Sequence, residues 1–136
     1  MNREFVDTNI LVYAQDSSAG QKYTRSSELL HRLVAEGSGA LSTQVLIEYY
    51  STAIRKLKVT SGEAAESMEV FAGWTVHQPN HSFVMRAIKL HQRHKTSWWD
   101  ALILTSALDL DCSVLWTEDL SHNQRFGSLT VKNPFR

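Results

Sequence analysis

The sequence predicts an α/β domain, an α/β/α sandwich around a mainly parallel central sheet of four to five strands. Three observations carry this expectation. Phe5 and Val6 form an apolar run that stops at Asp7, Thr8 and Asn9, as a buried strand running into a turn does. Leu29, Leu30, Leu33 and Val34 recur at helical spacing and end at Gly37 and Gly39. Residues 98–110 are apolar on nearly every side, as a helix packed between other elements is.

The remaining elements alternate in the same way. Ala40 and Leu41 make a very short strand, and Ser42 or Thr43 caps a helix that carries Val45, Leu46, Tyr49, Tyr50, Ile54 and Leu57. Both tyrosines are expected in the core, with one hydroxyl near the cleft. Thr60 and Glu63 read as a capping box opening a helix with Ala64, Met68 and Phe71, which Gly73 ends. Trp74 to His77 follows as a strand, and Asn80 caps a helix over Val84, Ile88 and Leu90. Thr96 and Ser97 start the buried helix. Ser113 to Trp116 is a strand, 117–124 a turn with one helical turn, and Leu129 to Val131 a closing strand. No repeat, linker or low-complexity tract interrupts the chain, so 1–136 is read as a single domain.

Composition narrows the function. A chain of 136 residues buries roughly two thirds of its unfolded surface, enough for a core without staples. Basic and acidic residues balance at 14 each, which argues against coating nucleic acid by bulk attraction but leaves room for a local basic groove. The single cysteine, Cys112, excludes an intrachain disulfide and a cysteine-built zinc site, and with Leu110 and Val114 beside it is read as a buried thiol. The first residues lack an apolar signal region and no run suits a membrane span, so a soluble cytoplasmic protein is expected.

Four acids stand at the ends or faces of these elements: Asp7 after the first strand, Glu48 on the helix after Ser42, Asp100 opening the apolar helix, and Asp119 after the fourth strand. Each has a structural alternative. Asp7 suits a helix cap, Glu48 a solvated stripe with Gln44, Ser51 and Arg55, Asp100 a capping box with Ser97, and Asp119 the start of a turn. The neighbours of Asp100, including Trp98, Trp99 and Ala101, imply that it is buried, which is costly for a carboxylate without a partner. Acids converging beyond the carboxyl ends of sheet strands would repel one another and raise their pKa values until protons or cations intervene. An all-oxygen set suits Mg²⁺ or Mn²⁺, which activates water and steadies charge on a phosphoryl group.

The segments Phe5-Val6-Asp7-Thr8-Asn9-Ile10-Leu11, the helix reaching Glu48, Trp99-Asp100-Ala101-Leu102-Ile103 and Thr117-Glu118-Asp119-Leu120 resemble, in order and over the whole chain, the four motifs of PIN-domain ribonucleases. Within that family the chain most resembles VapC-type toxins of bacterial toxin-antitoxin pairs, a likeness the tail through Arg125, Phe126, Gly127, Asn133, Pro134 and Phe135 extends. The resemblance implies that Asp7 and Asp100 ligate the metal directly, that Asp119 ligates it or a second ion, and that Glu48 binds metal or orients the attacking water. It makes Asn9 and Thr117 outer hydrogen-bonders of the acids, and favours Asp119 over Glu118 as the inward acid. It further implies an endoribonuclease cutting single-stranded or looped RNA to a 5′ phosphate and a 3′ hydroxyl, a cognate antitoxin and a homodimer.

Other signals are weaker. Arg86, Lys89, Arg93 and Lys95 with His91 and His94 either track a phosphate backbone or form a solvated helix face. Arg55, Lys56 and Lys58 form a smaller patch, and His91 with His94 lacks further zinc ligands. Trp98 either packs or stacks on a base, and Arg125 with Phe126 either guards the pocket or joins a subunit contact. Two other functions compete with the nuclease. A module of the same fold that binds RNA or protein without cutting would suit the zero net charge. A phosphotransferase using Asp7 as nucleophile fits poorly, because the haloacid-dehalogenase pattern needs a second Asp where Asn9 stands.

Overall fold

The computed structural model describes residues 2–136. Six strands form one sheet in the order β3-β2-β1-β4-β6-β5. They are β1 (Glu4–Val6), β2 (Gly39–Ser42), β3 (Thr75–His77), β4 (Val114–Trp116), β5 (Arg125–Phe126) and β6 (Leu129–Lys132). All neighbours pair parallel except β5 and β6. The connections after β1 and β2 step one way across the sheet and the connection after β3 steps back past β1. Right-handed crossovers in opposite directions put their helices on opposite faces, which gives the three-layer sandwich.

The helices are α1 (Thr8–Tyr13), α2 (Gln21–Glu36), α3 (Thr43–Thr52), α4 (Ser61–Met68), α5 (His81–Arg93) and α6 (Trp98–Asp109). Their starts follow local chemistry. Ser42, Thr60, Asn80 and Ser97 each accept a backbone N–H as N-cap, and Thr60 with Glu63 completes the expected capping box. α2 ends where Gly37 turns left-handed at φ 66°, a conformation a Cβ would disfavour. α3 runs on into a wider π turn, Ala53–Leu57. Phe5, Val6, Leu41, Leu104 and Leu115 are fully or almost fully buried at the centre of the core, and Cys112 is buried with its thiol pushed up to about 12 by desolvation.

Four sequence expectations change. The sheet has a sixth strand, because Arg125–Phe126 folds back on β6 through Gly127 at φ 61°, a pairing too short to leave an alternating pattern. Residues 117–124 contain no helical turn; Thr117 N donates to Lys132 O at 3.1 Å and Asn123 N to Val131 O at 2.8 Å, so the neighbouring strand takes the backbone groups a helix would need. Tyr50 is 37% exposed, and the tyrosine hydroxyls pair with Ser67 and Ser61 on α4, not with the acids. Only the middle of α6, Ala101 to Ala107, is buried; Trp99 in its first turn is 62% exposed.

Candidate metal centre

The switch in strand order falls between β1 and β4, and ligands of open α/β sheets sit at such a point beyond the strand carboxyl ends. Asp7 leaves β1 there. Its backbone N donates to Trp116 O at 3.0 Å, which keeps it beside the end of β4. Its Oδ1 accepts from Thr8 N at 2.7 Å as the cap of α1, and its Oδ2 accepts from Thr117 Oγ1 at 2.8 Å. Asp7 is therefore both a cap and a crevice-facing acid.

Asp100 arrives from the first turn of α6, where its backbone N donates to Ser97 Oγ at 3.1 Å. The positive end of a helix favours an anion at that position. Asp119 arrives on the loop after β4, its backbone N donating to Thr117 Oγ1 at 3.2 Å and its Oδ2 accepting from Asn9 Nδ2 at 3.1 Å. One carboxylate oxygen from each of Asp7, Asp100 and Asp119 lies within 4.8 Å of the others.

Glu48 stands beside this cluster. Its Oε2 accepts from Thr8 Oγ1 at 3.0 Å and its Oε1 from Gln44 Nε2 at 3.0 Å, so the Gln44 and Glu48 part of the stripe expected to face water is half-buried and hydrogen-bonded, while Ser51 and Arg55 are exposed as expected. Sequence reasoning missed Thr8, although its position directly after Asp7, in the first turn of α1, is the signal that could have found it. Glu118 turns away from the cluster: it accepts from the Tyr13 hydroxyl and pairs with Lys22 Nζ at 3.0 Å. His91 and His94 rest edge-on against Trp98 and Phe126, with ring centroids 5.9 and 5.2 Å apart.

Burial falls differently from the sequence expectation. Asp7 is the buried acid at 7% exposure, whereas Asp100 is only half-buried because the exposed first turn of α6 carries it. Desolvation pushes Asp7 up to about 7, against the hydrogen bonds from Thr117 and Thr8 and helped by the charges of Asp119 and Glu48. Burial also raises Asp119, with Asp100 and Glu118 adding repulsion. Repulsion among the acids is real, but water exclusion is the larger cause.

A hard divalent cation fits this donor set. The converging ligand atoms are all carboxylate oxygens, the chemistry of Mg²⁺ or Mn²⁺ sites. Asn9, whose Nδ2 steadies Asp119, keeps a buried Oδ1 without a hydrogen-bond partner, a further oxygen acceptor on a residue that touches the cluster. A different constellation, His77 between Ser106 Oγ at 3.1 Å and Asp109 Oδ2 at 3.2 Å, has the members of a hydrolase triad, but Ser106 is buried at 1% exposure and the network ties β3 to α6.

The family model for the PIN domain matches residues 5–125. No curated protein matches the sequence. A toxin-antitoxin complex from Klebsiella pneumoniae superposes with a TM-score of 0.72 at 18% identity, over 96% of this chain and 97% of that one. DNA-bound VapBC from Salmonella typhimurium gives 0.70 at 14% identity, over 98% and 99%. VapC20 of Mycobacterium tuberculosis, a sarcin-ricin loop cleaving toxin, gives 0.64 at 16% identity, over 82% and 86%. At these identities the likeness is one of fold.

Proposed function

From the premise that this chain belongs to the PIN-domain family, we propose that it is a metal-dependent endoribonuclease acting as the VapC-type toxin of a toxin-antitoxin pair. The convergence of Asp7, Asp100 and Asp119 on one point is the observation that carries this reading. These three carboxylates would hold Mg²⁺ or Mn²⁺. Once bound, the cation supplies water activation and positive charge for a phosphoryl oxygen.

The chain's own residues do the rest. In this reading Glu48 orients the attacking water and takes its proton, a role that its hydrogen bonds from Thr8 and Gln44 support. Thr117 and Asn9 fix the carboxylates of Asp7 and Asp119, as outer partners of metal ligands do. Attack of the water oxygen forms a new bond to phosphorus and breaks the bond to the 3′ oxygen, which takes a proton from solvent, leaving a 5′ phosphate and a 3′ hydroxyl.

The proposed partners are an RNA substrate, a protein antitoxin and a second copy of the chain, in the cytoplasm. Fold neighbours from toxin-antitoxin complexes support the antitoxin, and among the described residues no helix is long and apolar enough to cross a membrane. The test is RNA cleavage with Mg²⁺ or Mn²⁺ by the parent, Asp7→Asn and Asp100→Asn. Each substitution is expected to cost more than the roughly 10–100-fold that loss of an outer partner costs. Equal activity in all three proteins would remove the nuclease, and a calorimetric titration finding no Mn²⁺ site would favour the non-catalytic binding module.

A further inference from the structure

The crevice that holds Asp100 and Asp119 continues away from the acids. Its wall includes Arg93, His94 and Lys95. Arg93 and His94 also line a second groove, floored by Leu90, Leu108 and Phe126 and rimmed by Lys89 and Arg125. The two hollows thus share a wall at the C-terminal end of α5, and the short strand β5 supplies the far rim of the second.

The cations along this path differ in availability. Arg86, Lys89 and Arg93 share the groove-facing side of α5 and span roughly 10 Å at the rise of an α-helix. Arg86 is committed to Asp109 and Ser82. Lys89, Arg93, Lys95 and Arg125 make no ion pair among the described residues. In a chain whose charges balance overall, such an unpaired row is a local feature and not a consequence of bulk charge. Thr96, in the wall shared with the acids, keeps a buried hydroxyl without a partner.

We propose that this groove is a subsite for the RNA strand flanking the scissile phosphate, running from the acids past Arg93 and His94 to Lys89 and Arg125. The inference rests on the ribonuclease reading and adds where the substrate lies. A nucleotide carries a phosphate and a flat base whose faces stack on apolar surface, which matches a cationic rim over a floor of Leu90, Leu108 and Phe126. A run of acidic side chains matches the rim alone.

Anisotropy of labelled single-stranded oligoribonucleotides of mixed sequence, one short and one long, tests this with the full chain in EDTA across a salt series. The parent is expected to bind the long RNA roughly tenfold or more tighter than the short one. Lys89→Ala/Arg125→Ala is expected to lose that advantage, and its dependence of log affinity on log salt to fall by about 1.4, about 0.7 for each phosphate no longer neutralised. Lys89→Arg/Arg125→Lys should keep both, which separates charge from misfolding.

Parent-like affinity and salt slope in the alanine variant would overturn the subsite. So would poly-glutamate binding that the same substitutions abolish while RNA binding persists. Cleavage with Mn²⁺ tests the nuclease reading separately: a parent that binds long RNA through Lys89 and Arg125 but cuts nothing keeps the groove and loses the nuclease. A parent that binds no RNA in EDTA but cuts it with Mn²⁺ loses the groove and keeps the nuclease.

Discussion

Thr117 Oγ1 donates to Asp7 Oδ2 at 2.8 Å across the carboxyl ends of two adjacent strands, β1 and β4. The same hydroxyl oxygen accepts from Asp119 N at 3.2 Å. One buried side chain therefore fixes two of the three converging acids, and the pairing of β1 with β4 supplies the register that lets it do so.

Thr117→Val keeps the shape of that side chain and removes both hydrogen bonds. A buried carboxylate oxygen then lacks its donor, so the fold is expected to lose about 1–3 kcal/mol. Mn²⁺ affinity is expected to fall about 10–100-fold, the usual effect of losing an outer partner of a ligand. Thermal melts and calorimetric titration measure the two effects, and Thr117→Ser should recover most of each.

Glu118 and Asp119 are neighbours in sequence with opposite surroundings. Glu118 closes a cluster with Tyr13 and Lys22, and the Lys22 ammonium also lies over the ring of Phe135 at 5.5 Å. Asp119 joins the acids. Asp119→Asn is expected to lower Mn²⁺-dependent RNA cleavage far more than Glu118→Gln, whose effect should be on the loop and the tail. Comparable losses in the two variants would mean that the cluster around Lys22 positions the reacting groups as strictly as the ligands do.

What the letters revealed follows from what is local. Caps at Ser42, Thr60, Asn80 and Ser97 are written in one or two residues each, and the four acids sit at strand ends or on helix faces that periodicity can find. The apolar neighbours of Asp100 misled because helix burial is set by direction, and the first turn of α6 faces outward with Trp99. The strand Arg125–Phe126 was invisible because its only support is the hairpin partner Leu129 to Lys132. The Thr8 to Glu48 bond spans 40 residues, and no local pattern encodes such a pairing.

Gly39 opens β2 where the indole of Trp74 lies flat against it. A Cβ there would sit 2.5 Å from Trp74 ring atoms, so the ring must shift to admit one. Phe71 packs edge-on against the same indole with centroids 4.9 Å apart, which limits the shift. Gly39→Ala is expected to cost about 1–3 kcal/mol, as overpacking does. Chemical denaturation measures the loss, and the specific cleavage activity of the folded fraction should be unchanged because Gly39 lies at the opposite end of β2 from Ser42 and the helix carrying Glu48.

Asp7 links cation binding to a proton. Its folded pKa is pushed up to about 7 from an ordinary 3.8, chiefly by burial. Between those values the folded metal-free protein holds a proton that the unfolded chain has released, so this group makes stability fall as pH rises through the window and level off above about 7. A divalent cation takes the same carboxylate deprotonated and displaces the proton. Mn²⁺ affinity is therefore expected to climb with pH toward neutrality and then flatten. Calorimetry in two buffers of different ionisation enthalpy should record proton release at about pH 6 and almost none at about pH 8, the two sides of that titration. Asp7→Asn loses this ligand together with its proton, so the weaker Mn²⁺ binding left at high cation concentration should show no such difference, whereas release in the parent that is equal at both pH values would mean that Asp7 is already ionised when the cation arrives.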